Sequence, residues 1–392
     1  MRRRQGFTLV ELLVATALIM FIMVILTQAY TASMKAFQDL KAYGDMDKRL
    51  RTVSRTLRDD LSNYALYGQG NTRKYISDPT FFSANWPPTQ GFFRIYNGGN
   101  SAGSPSDPYY TFEGSDGDGI AGRRAQDHIL HFTMQKPQGN DRSNYFFGAL
   151  TDPNSPLFAT YPDTLYQVPG SIFSTTWAEV AYFLYPNGAT AAGSTPLYGL
   201  YRRQLLVLDS STAQAANTSN AANTTPIPNA KASFYSGKIS MKVQGPSLYF
   251  NSPADLASPP NRLGMNGVMP AYSPPGSPNY LTYQPIGDGS DLLLTDVISF
   301  EVKPLVPSAT DPSDPSSPYV PLYQIGGFND PNNSFGNARV FDTWTQDPTN
   351  TYNANNVPLQ VQIQALEITV RVWDFKSQMT RQMTIVKELT PP

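Results

Sequence analysis

The sequence predicts an α+β protein in which one long N-terminal α-helix packs on an antiparallel β-sheet head that carries long loop insertions. Three observations predict this fold. A nearly uncharged apolar run covers residues 7–26, a proline-free amphipathic stretch continues to residue 67, and short β-like runs separated by loop-like composition fill the remainder. One long helix followed by many strands is the element order of an α+β domain.

The composition of the chain excludes several classes of site. The 392 residues include 29 basic and 30 acidic side chains, two histidines and no cysteine. Without cysteine there are no disulfides, no thiol catalysis and no cysteine-ligated metal. Two histidines exclude a three-histidine metal site, and a net charge of −1 gives no overall basic surface for nucleic acid. Binding to nucleic acid is therefore not expected.

The first element is the apolar run at residues 7–26, which contains one charged side chain. A helix of this length spans about 30 Å, the thickness of the hydrocarbon core of a bilayer. Arg2, Arg3 and Arg4 precede the run, and such a basic flank stays in the cytoplasm by the positive-inside rule. A secretory signal is the alternative, but its apolar part is about 7–15 residues long and ends in a small-residue cleavage site. The run therefore predicts a membrane-spanning helix.

Glu11 is the charged exception within this run. A carboxylate costs about 2.5–3.5 kcal/mol at the middle of a membrane helix, although the cost falls near a helix end, where the side chain can reach the interface. The surrounding string GFTLVE, residues 6–11, closely resembles the leader junction of type IV pilins and type II secretion pseudopilins. Glu11 lies at the fifth position after the glycine, as in that family.

The resemblance implies a processing and assembly mechanism. Residues 1–6 correspond to a leader peptide that prepilin peptidase removes by cutting between Gly6 and Phe7, after which the N-terminus of Phe7 is methylated. Glu11 corresponds to the glutamate that pairs with the N-terminal amine of a neighbouring subunit. The physics agrees, because a buried carboxylate is tolerated when a partner charge satisfies it.

Two segments of the predicted helix differ in character. Residues 7–29 are expected to form the transmembrane and filament-core part, and residues 30–67 an amphipathic stalk that Gly68 and Gly70 bring to an end. Apolar side chains in the stalk fall mostly three or four residues apart, which is the spacing of one helix face. They are Phe37, Leu40, Tyr43, Leu50, Val53, Leu57, Leu61 and Tyr64.

A basic cluster lies between Lys48 and Arg58 of this stalk. Acidic residues interleave with it, at Asp45, Asp47, Asp59 and Asp60. Charges of alternating sign favour a solvated helix face over a surface for lipid or nucleic acid.

Residues 68–392 are predicted to form the β-rich head. The strand-like runs are residues 91–96, 128–134, 179–185, 197–208 and 297–305, and a last pair, 360–373 and 378–389, forms a hairpin through residues 374–377. Low-complexity insertions rich in Pro, Ser, Asn and Ala interrupt the head at about residues 209–231, 252–284, 307–318 and 328–356. Such composition buries little apolar area, so surface loops are expected there.

Runs in the head extend the resemblance. Residues 179–184 (EVAYFL) followed by 200–203 (LYRR) are similar to the V-x-Y-x-L and L-x-R pair of J-type minor pseudopilins and related minor pilins. Further runs follow in the order found in that family, at residues 296–302, Trp344 and 365–370. Glu11 argues against the K-type tip subunit, which generally lacks that glutamate.

Candidates for metal chemistry are few. His128 and His131 are three residues apart on a predicted strand, so they point to opposite faces and cannot share a metal. Asp116 and Asp118 resemble the start of a calcium loop but lack the distal glutamate, so a turn is the favoured interpretation. Asp288 and Asp291 could likewise belong either to a calcium loop or to a turn. No cofactor is expected, with calcium at Asp116 and Asp118 as the alternative.

The sequence therefore predicts a non-enzymatic protein, because no nucleophile elbow, phosphate-binding loop or zinc-protease motif is present. The resemblance implies that it is a structural subunit. The resemblance implies a minor pseudopilin of a type II secretion pseudopilus, with a minor pilin of a type IV pilus as the alternative. A membrane-anchored adhesion protein is a further alternative. Implied partners are prepilin peptidase, other pilin-type subunits, the inner-membrane assembly platform and, before assembly, lipid. The expected location is the bacterial inner membrane, with the N-terminus cytoplasmic and the head periplasmic.

Overall fold

The computed structural model describes residues 8–84, 87–97, 125, 128–137, 139, 141–149, 172–191, 195–210, 213, 238–244, 247–264, 283–285, 289, 291–307, 317–322, 325, 340–344 and 361–391. Within them lie three α-helices: α1 (Leu9–Ser62), α2 (Phe81–Ala84) and α3 (Pro253–Ala257). The strands are β1 (Leu66–Tyr67), β2 (Arg73–Lys74), β3 (Phe93–Asn97), β4 (His128–Gln135), β5 (Phe146–Ala149), β6 (Ile172–Thr175), β7 (Trp177–Thr190), β8 (Pro196–Val207), β9 (Met241–Gln244), β10 (Ser247–Phe250), β11 (Leu292–Leu305), β12 (Val340–Asp342), β13 (Ala365–Asp374) and β14 (Met379–Glu388).

Eight of these strands form one antiparallel sheet in the order β12-β3-β4-β7-β8-β11-β13-β14. Helix α1 covers one face of this sheet, where its buried side chains join the main hydrophobic core. The predicted α+β fold, a long N-terminal helix on an antiparallel head, is confirmed.

The predicted C-terminal hairpin is also confirmed. Strands β13 and β14 pair without a bulge from Ala365↔Glu388 to Asp374↔Met379. The carboxylate of Asp374 accepts hydrogen bonds from the backbone N–H of Lys376 (3.2 Å) and of Ser377 (2.8 Å). An aspartate that satisfies the backbone two or three residues onward is a local turn signal, so this hairpin is readable from sequence.

The end of α1 differs from the prediction. The helix stops at Ser62, not at Gly68, and the N–H of Asn63 closes it on the carbonyl of Asp60 at 3.0 Å. The next residues pair with β4 instead: Tyr64 bridges Met134, and the N–H of Ala65 donates to the carbonyl of Thr133 at 2.9 Å. Pairing with the sheet thus takes over the backbone hydrogen bonds that a longer helix would need.

The predicted apolar face of the stalk packs on the sheet only in its second part. The helix residues buried there are Ala42, Met46, Leu50, Val53, Leu57, Asp60 and Leu61. Phe37 and Leu40 lie earlier on the predicted face and remain 70% and 67% exposed. The head therefore covers about the last third of α1 and leaves the rest of the helix free of it.

Asp60 corrects the prediction that the acidic residues of the stalk lie on a solvated face. It is 7% exposed and accepts hydrogen bonds from Arg202 on both carboxylate oxygens, Nε to Oδ2 at 2.6 Å and Nη2 to Oδ1 at 2.9 Å. The hydroxyl of Tyr182 also donates to Oδ2. Burial and the neighbouring carboxylate raise the pKa of Tyr182 well above its ordinary value, so the phenol remains a donor.

Tyr182 and Arg202 are directly opposite each other on β7 and β8. Both side chains therefore leave the same face of the sheet and meet one carboxylate near the end of α1. This Asp60–Tyr182–Arg202 group connects the helix to the two central strands by three hydrogen bonds, two of which form a charge-assisted two-point contact with Arg202.

The second face of the sheet is covered in part by residues 251–264. This segment lies largely within the proline-rich range 252–284, where a surface loop was expected. Instead Glu179 of β7 is buried and accepts from the N–H of Leu263 (2.8 Å) and from the hydroxyl of Ser240, while Nε2 of His131 lies 3.0 Å from it. Specific polar contacts, which composition does not reveal, hold the segment in place.

Arg262 anchors the same segment. Its guanidinium donates to Asp342 of β12 at 2.8 Å and to the carbonyls of Leu256 and Ala257 at the end of α3, at 2.7 and 2.6 Å. Arg262 is 1% exposed, and Asp342 is fully buried. A cation that caps helix carbonyls and pairs with a carboxylate offsets its own desolvation, which explains how a charged residue is tolerated there.

The Asp60 group yields a stability prediction. Asp60→Ala leaves Arg202 without its carboxylate in a mostly buried position, so we expect the free energy of unfolding to fall by about 3 kcal/mol. Denaturant titration of the detergent-solubilised chain measures the change. Asp59→Ala, at the exposed neighbouring position, is the matched control and should change stability by less than about 0.5 kcal/mol. Equal effects of the two substitutions would contradict the proposed role of Asp60.

Candidate membrane and assembly segment

The N-terminal half of α1 presents apolar side chains on every side. All residues at 9–26 are exposed, and the bulky apolar ones among them retain between 47% and 80% of their surface. No charged residue lies between Glu11 and Lys35. A helix that is apolar all round and uncovered by its own chain requires an apolar environment supplied from outside.

The length of this segment matches a bilayer. Residues 9–26 extend over about 27 Å at the helical rise of 1.5 Å per residue, close to the thickness of the hydrocarbon core. Among the described residues, α1 is the one helix long and apolar enough to cross a membrane, and no side chain of its apolar window is buried. The confirmed helix therefore supports membrane anchoring through its N-terminal part.

Glu11 lies in the first turn of α1 and forms a capping box with Thr8. The backbone N–H and the hydroxyl of Thr8 both donate to Oε2 of Glu11 at 2.9 Å, and the N–H of Glu11 lies 3.3 Å from Oγ1 of Thr8. A carboxylate at a helix N-terminus also interacts favourably with the helix dipole. These contacts reduce the cost of the charge in the isolated chain and keep it at the end of the apolar segment.

The capping box leaves part of the Glu11 carboxylate open. Both hydrogen bonds from Thr8 reach Oε2, and no residue in the described part of the chain donates to Oε1. A carboxylate can accept several hydrogen bonds, so Glu11 retains the capacity to bind a further donor or cation.

The other predicted residues of this segment lie outside the described residues. They are Arg2, Arg3, Arg4, Gly6 and Phe7. Cleavage between Gly6 and Phe7, methylation of Phe7 and the orientation set by the arginines stay predictions. The calcium candidates Asp116 and Asp118 also lie outside the described residues.

The two histidines occupy opposite faces of β4. Nδ1 of His128 is 3.0 Å from the amide of Asn97 and accepts from the N–H of Val302 at 3.0 Å. His131 lies on the other face beside Glu179, with the hydroxyl of Tyr283 at 2.8 Å. Burial lowers the pKa of His128 to about 3, so its imidazole is neutral at pH 7.

No group of three or more histidine, aspartate or glutamate side chains that could hold a metal ion occurs within the part of the chain that the structure describes.

Asp60 is buried in the structure, whereas its sequence pattern predicts a solvated helix face. The available signal was in the sheet, because Tyr182 and Arg202 belong to the V-x-Y-x-L and L-x-R runs. A tyrosine and an arginine on adjacent inward positions require a buried acceptor. Sequence alone did not identify which of several helix carboxylates supplies it.

The exposed segment yields a membrane-insertion prediction. Leu18→Arg places a charge at the centre of the apolar run, at a cost of about 2.5–3.5 kcal/mol. We therefore expect a reduced membrane fraction after alkaline extraction of cells that produce the full chain. Phe37→Arg introduces the same side chain on an exposed position beyond the run and should leave the membrane fraction unchanged. Retention of Leu18→Arg at the control level would contradict a transmembrane location of this residue.

Comparison with known proteins gave one family match. A model of the prokaryotic N-terminal methylation motif matches residues 1–27. Searches of curated proteins and of solved structures returned no significant match. The motif implies processing by prepilin peptidase and assembly with other pilin-type subunits. Together with the long apolar helix and the antiparallel head, it supports a protein of the pilin and pseudopilin class.

Proposed function

We propose that this protein is a minor pseudopilin, a structural and non-enzymatic subunit of the pseudopilus of a type II secretion system. In this proposal prepilin peptidase cuts the chain between Gly6 and Phe7, and the mature N-terminal helix then assembles with those of other subunits. The inner membrane holds the subunit before assembly, with the N-terminus cytoplasmic and the head on the periplasmic side.

The observation that carries the proposal is the first half of α1. It combines the methylation motif with a helix whose apolar surface is exposed on all sides. Lipid can cover this surface in the monomer, and the helices of neighbouring subunits can cover it in a filament. A one-helix anchor alone would need no glutamate within the apolar run, whereas an assembling helix has a use for one.

Glu11 is assigned the assembly role. Its capping box with Thr8 offsets part of the cost of the charge in the monomer, and its remaining acceptor capacity suits the methylated amine of a neighbour. Two opposite charges brought together away from water offset each other's desolvation, whereas an unpaired charge there is costly. Correct pairing of neighbours therefore carries a free-energy advantage over misaligned packing.

Among minor pseudopilins we propose the J-type, and the Asp60 group supports this assignment. The V-x-Y-x-L and L-x-R runs are adjacent strands, and their tyrosine and arginine meet one helix carboxylate. The two runs thus act as a unit that binds the stalk helix. This contact explains why a tyrosine in one run and an arginine in the other occur together.

Processing is tested by mass spectrometry of the protein extracted from membranes of cells that contain prepilin peptidase. We expect an N-terminal peptide that begins with methylated Phe7. Gly6→Val should block the cut and leave residues 1–6 attached, while the protein remains in the membrane. An intact Met1 in the unaltered chain, or a cut beyond the apolar run, would refute the proposal.

Assembly is tested with Glu11→Gln, which keeps the shape and removes the charge. We expect the processed monomer in the membrane at a normal level, with its incorporation into sheared filaments or crosslinked oligomers reduced by about tenfold or more. Asp45→Asn, at an exposed position of the same helix, is the control for loss of one negative charge. Normal incorporation of Glu11→Gln would remove Glu11 from the assembly mechanism.

The system to which the subunit belongs is tested by deletion of its gene. Trapped exoproteins with normal motility are expected for a secretion pseudopilus. Loss of twitching, adhesion or DNA uptake with normal secretion would instead identify a type IV pilus minor pilin.

A further inference from the structure

A pocket of about 460 Å³ opens at the end of the head where α1 stops. Its lining comes from the β1–β2 hairpin, the end of β4 and the start of β7. The N–H of Gln135 in this lining donates to the carbonyl of Asn63, the first residue after α1. The pocket is therefore at the opposite end of the helix from the apolar segment, and its volume is within the range of about 300–1,000 Å³ typical of small-molecule sites.

Two aromatic rings form one wall of the pocket. The ring centroids of Tyr67 and Trp177 are 5.6 Å apart, with an angle of 57° between the planes. The hydroxyl of Tyr67 donates to Oε1 of Gln135, which holds the tyrosine ring in place. Trp177 is buried, whereas Tyr67 is half-buried, so the Tyr67 ring is the apolar surface that a ligand can reach, and Trp177 packs against it.

The charge of the pocket is positive. Arg73 and Lys136 line it, and no aspartate or glutamate is among the described residues that do. This contrasts with the whole chain, whose net charge is −1. A concave site lined by positive charges raises the local concentration of anions.

Backbone carbonyls position these two cations without neutralising them. Nη2 of Arg73 donates to the carbonyl of Tyr64 at 2.6 Å, and its buried Nε has no hydrogen-bond partner among the described residues. Nζ of Lys136 donates to the carbonyls of Ser143 at 2.8 Å and of Tyr145 at 3.4 Å, and it lies 4.7 Å from the ring centroid of Phe146. Each cation therefore keeps its formal charge and further donor capacity for a ligand.

Neutral donors complete the lining. Three lining side chains form no hydrogen bond within the described portion of the chain: the amides of Asn71 and Gln90 and the indole of Trp177. Amide groups both donate and accept, so they match hydroxyl groups, which do the same. Rings, amides and cations together fit the three parts of an acidic sugar: an apolar C–H face, several hydroxyls and one carboxylate.

We propose that this pocket binds an acidic sugar residue of the hexuronate type. The inference goes beyond the proposed filament role and does not depend on it. The competing explanation is structural: α1 has no basic residue in its last turn, so nearby cations could serve only to stabilise the carbonyl end of the helix. That explanation predicts no ligand.

Calorimetric titration of the detergent-solubilised full chain tests the proposal with three probes. Galacturonate should bind saturably in the millimolar range. Galactose, which lacks the carboxylate, and acetate, which lacks the ring, should each bind at least about tenfold more weakly, because each loses one class of contact. Absence of saturable galacturonate binding would overturn the proposal. Acetate binding as tight as galacturonate would identify a plain anion site and would also overturn it.

Variants locate the binding. Lys136→Gln should weaken galacturonate binding by about tenfold or more. Lys376→Gln removes the same charge from an exposed turn outside the pocket and should bind as the unaltered chain does. Gln90→Ala is the second pocket variant and removes a side chain that contributes no internal hydrogen bond, so it should weaken binding while the melting temperature is unchanged. Unaltered affinity in a folded Lys136→Gln or Gln90→Ala variant would show that galacturonate binds elsewhere.

Discussion

The ion pair between Asp60 and Arg202 determines how the head is held on its helix. It lies near the end of α1 and at the centre of the sheet, where β7 and β8 are paired. Six of the seven buried residues of α1 are apolar, but apolar contacts are non-directional and would allow the helix to slide or turn. A two-point contact to one carboxylate, with a tyrosine beside it, selects a single arrangement.

The attachment of α1 to the sheet near Asp60 determines what happens at both ends of the helix. Because α1 is fixed to the sheet only over its last third, its first part projects beyond the head and keeps its apolar surface free for lipid or for other subunits. At the other end, the chain turns directly from Ser62 into pairing with β4. After this turn the chain forms the β1–β2 hairpin, which contributes Tyr67, Asn71 and Arg73 to the lining of the pocket.

The opposite face of the sheet is covered in a different way. There the cover is short, and it combines buried apolar side chains with hydrogen bonds to the buried charged groups Glu179 and Arg262. Glu179 and Arg262 each have partners from separate parts of the chain, so specific polar contacts bind the segment at residues 251–264 in addition to its buried Leu256 and Leu263. Buried polar groups that are fully partnered cost little, whereas a lost partner is expensive, which ties this segment to one position.

Local patterns determined the parts of the protein that depend on neighbours in the chain. The uncharged run, the three- and four-residue spacing of the stalk and the alternation of the β runs predicted the long helix, the antiparallel head and the C-terminal hairpin, because each reflects a backbone period. The string around Glu11 likewise indicates the pilin class by its local sequence alone.

Contacts between distant residues decided the rest. The end of α1 at Ser62, the burial of Asp60 and the folding of proline-rich residues 252–264 against the sheet were not predicted. In each case a long-range partner, such as Thr133 for Ala65 or Arg202 for Asp60, overrode the local preference. Composition indicates how much apolar surface a segment can bury. Only the tertiary structure determines which polar group finds a partner, because the partners here lie from 68 to 142 positions away in the chain.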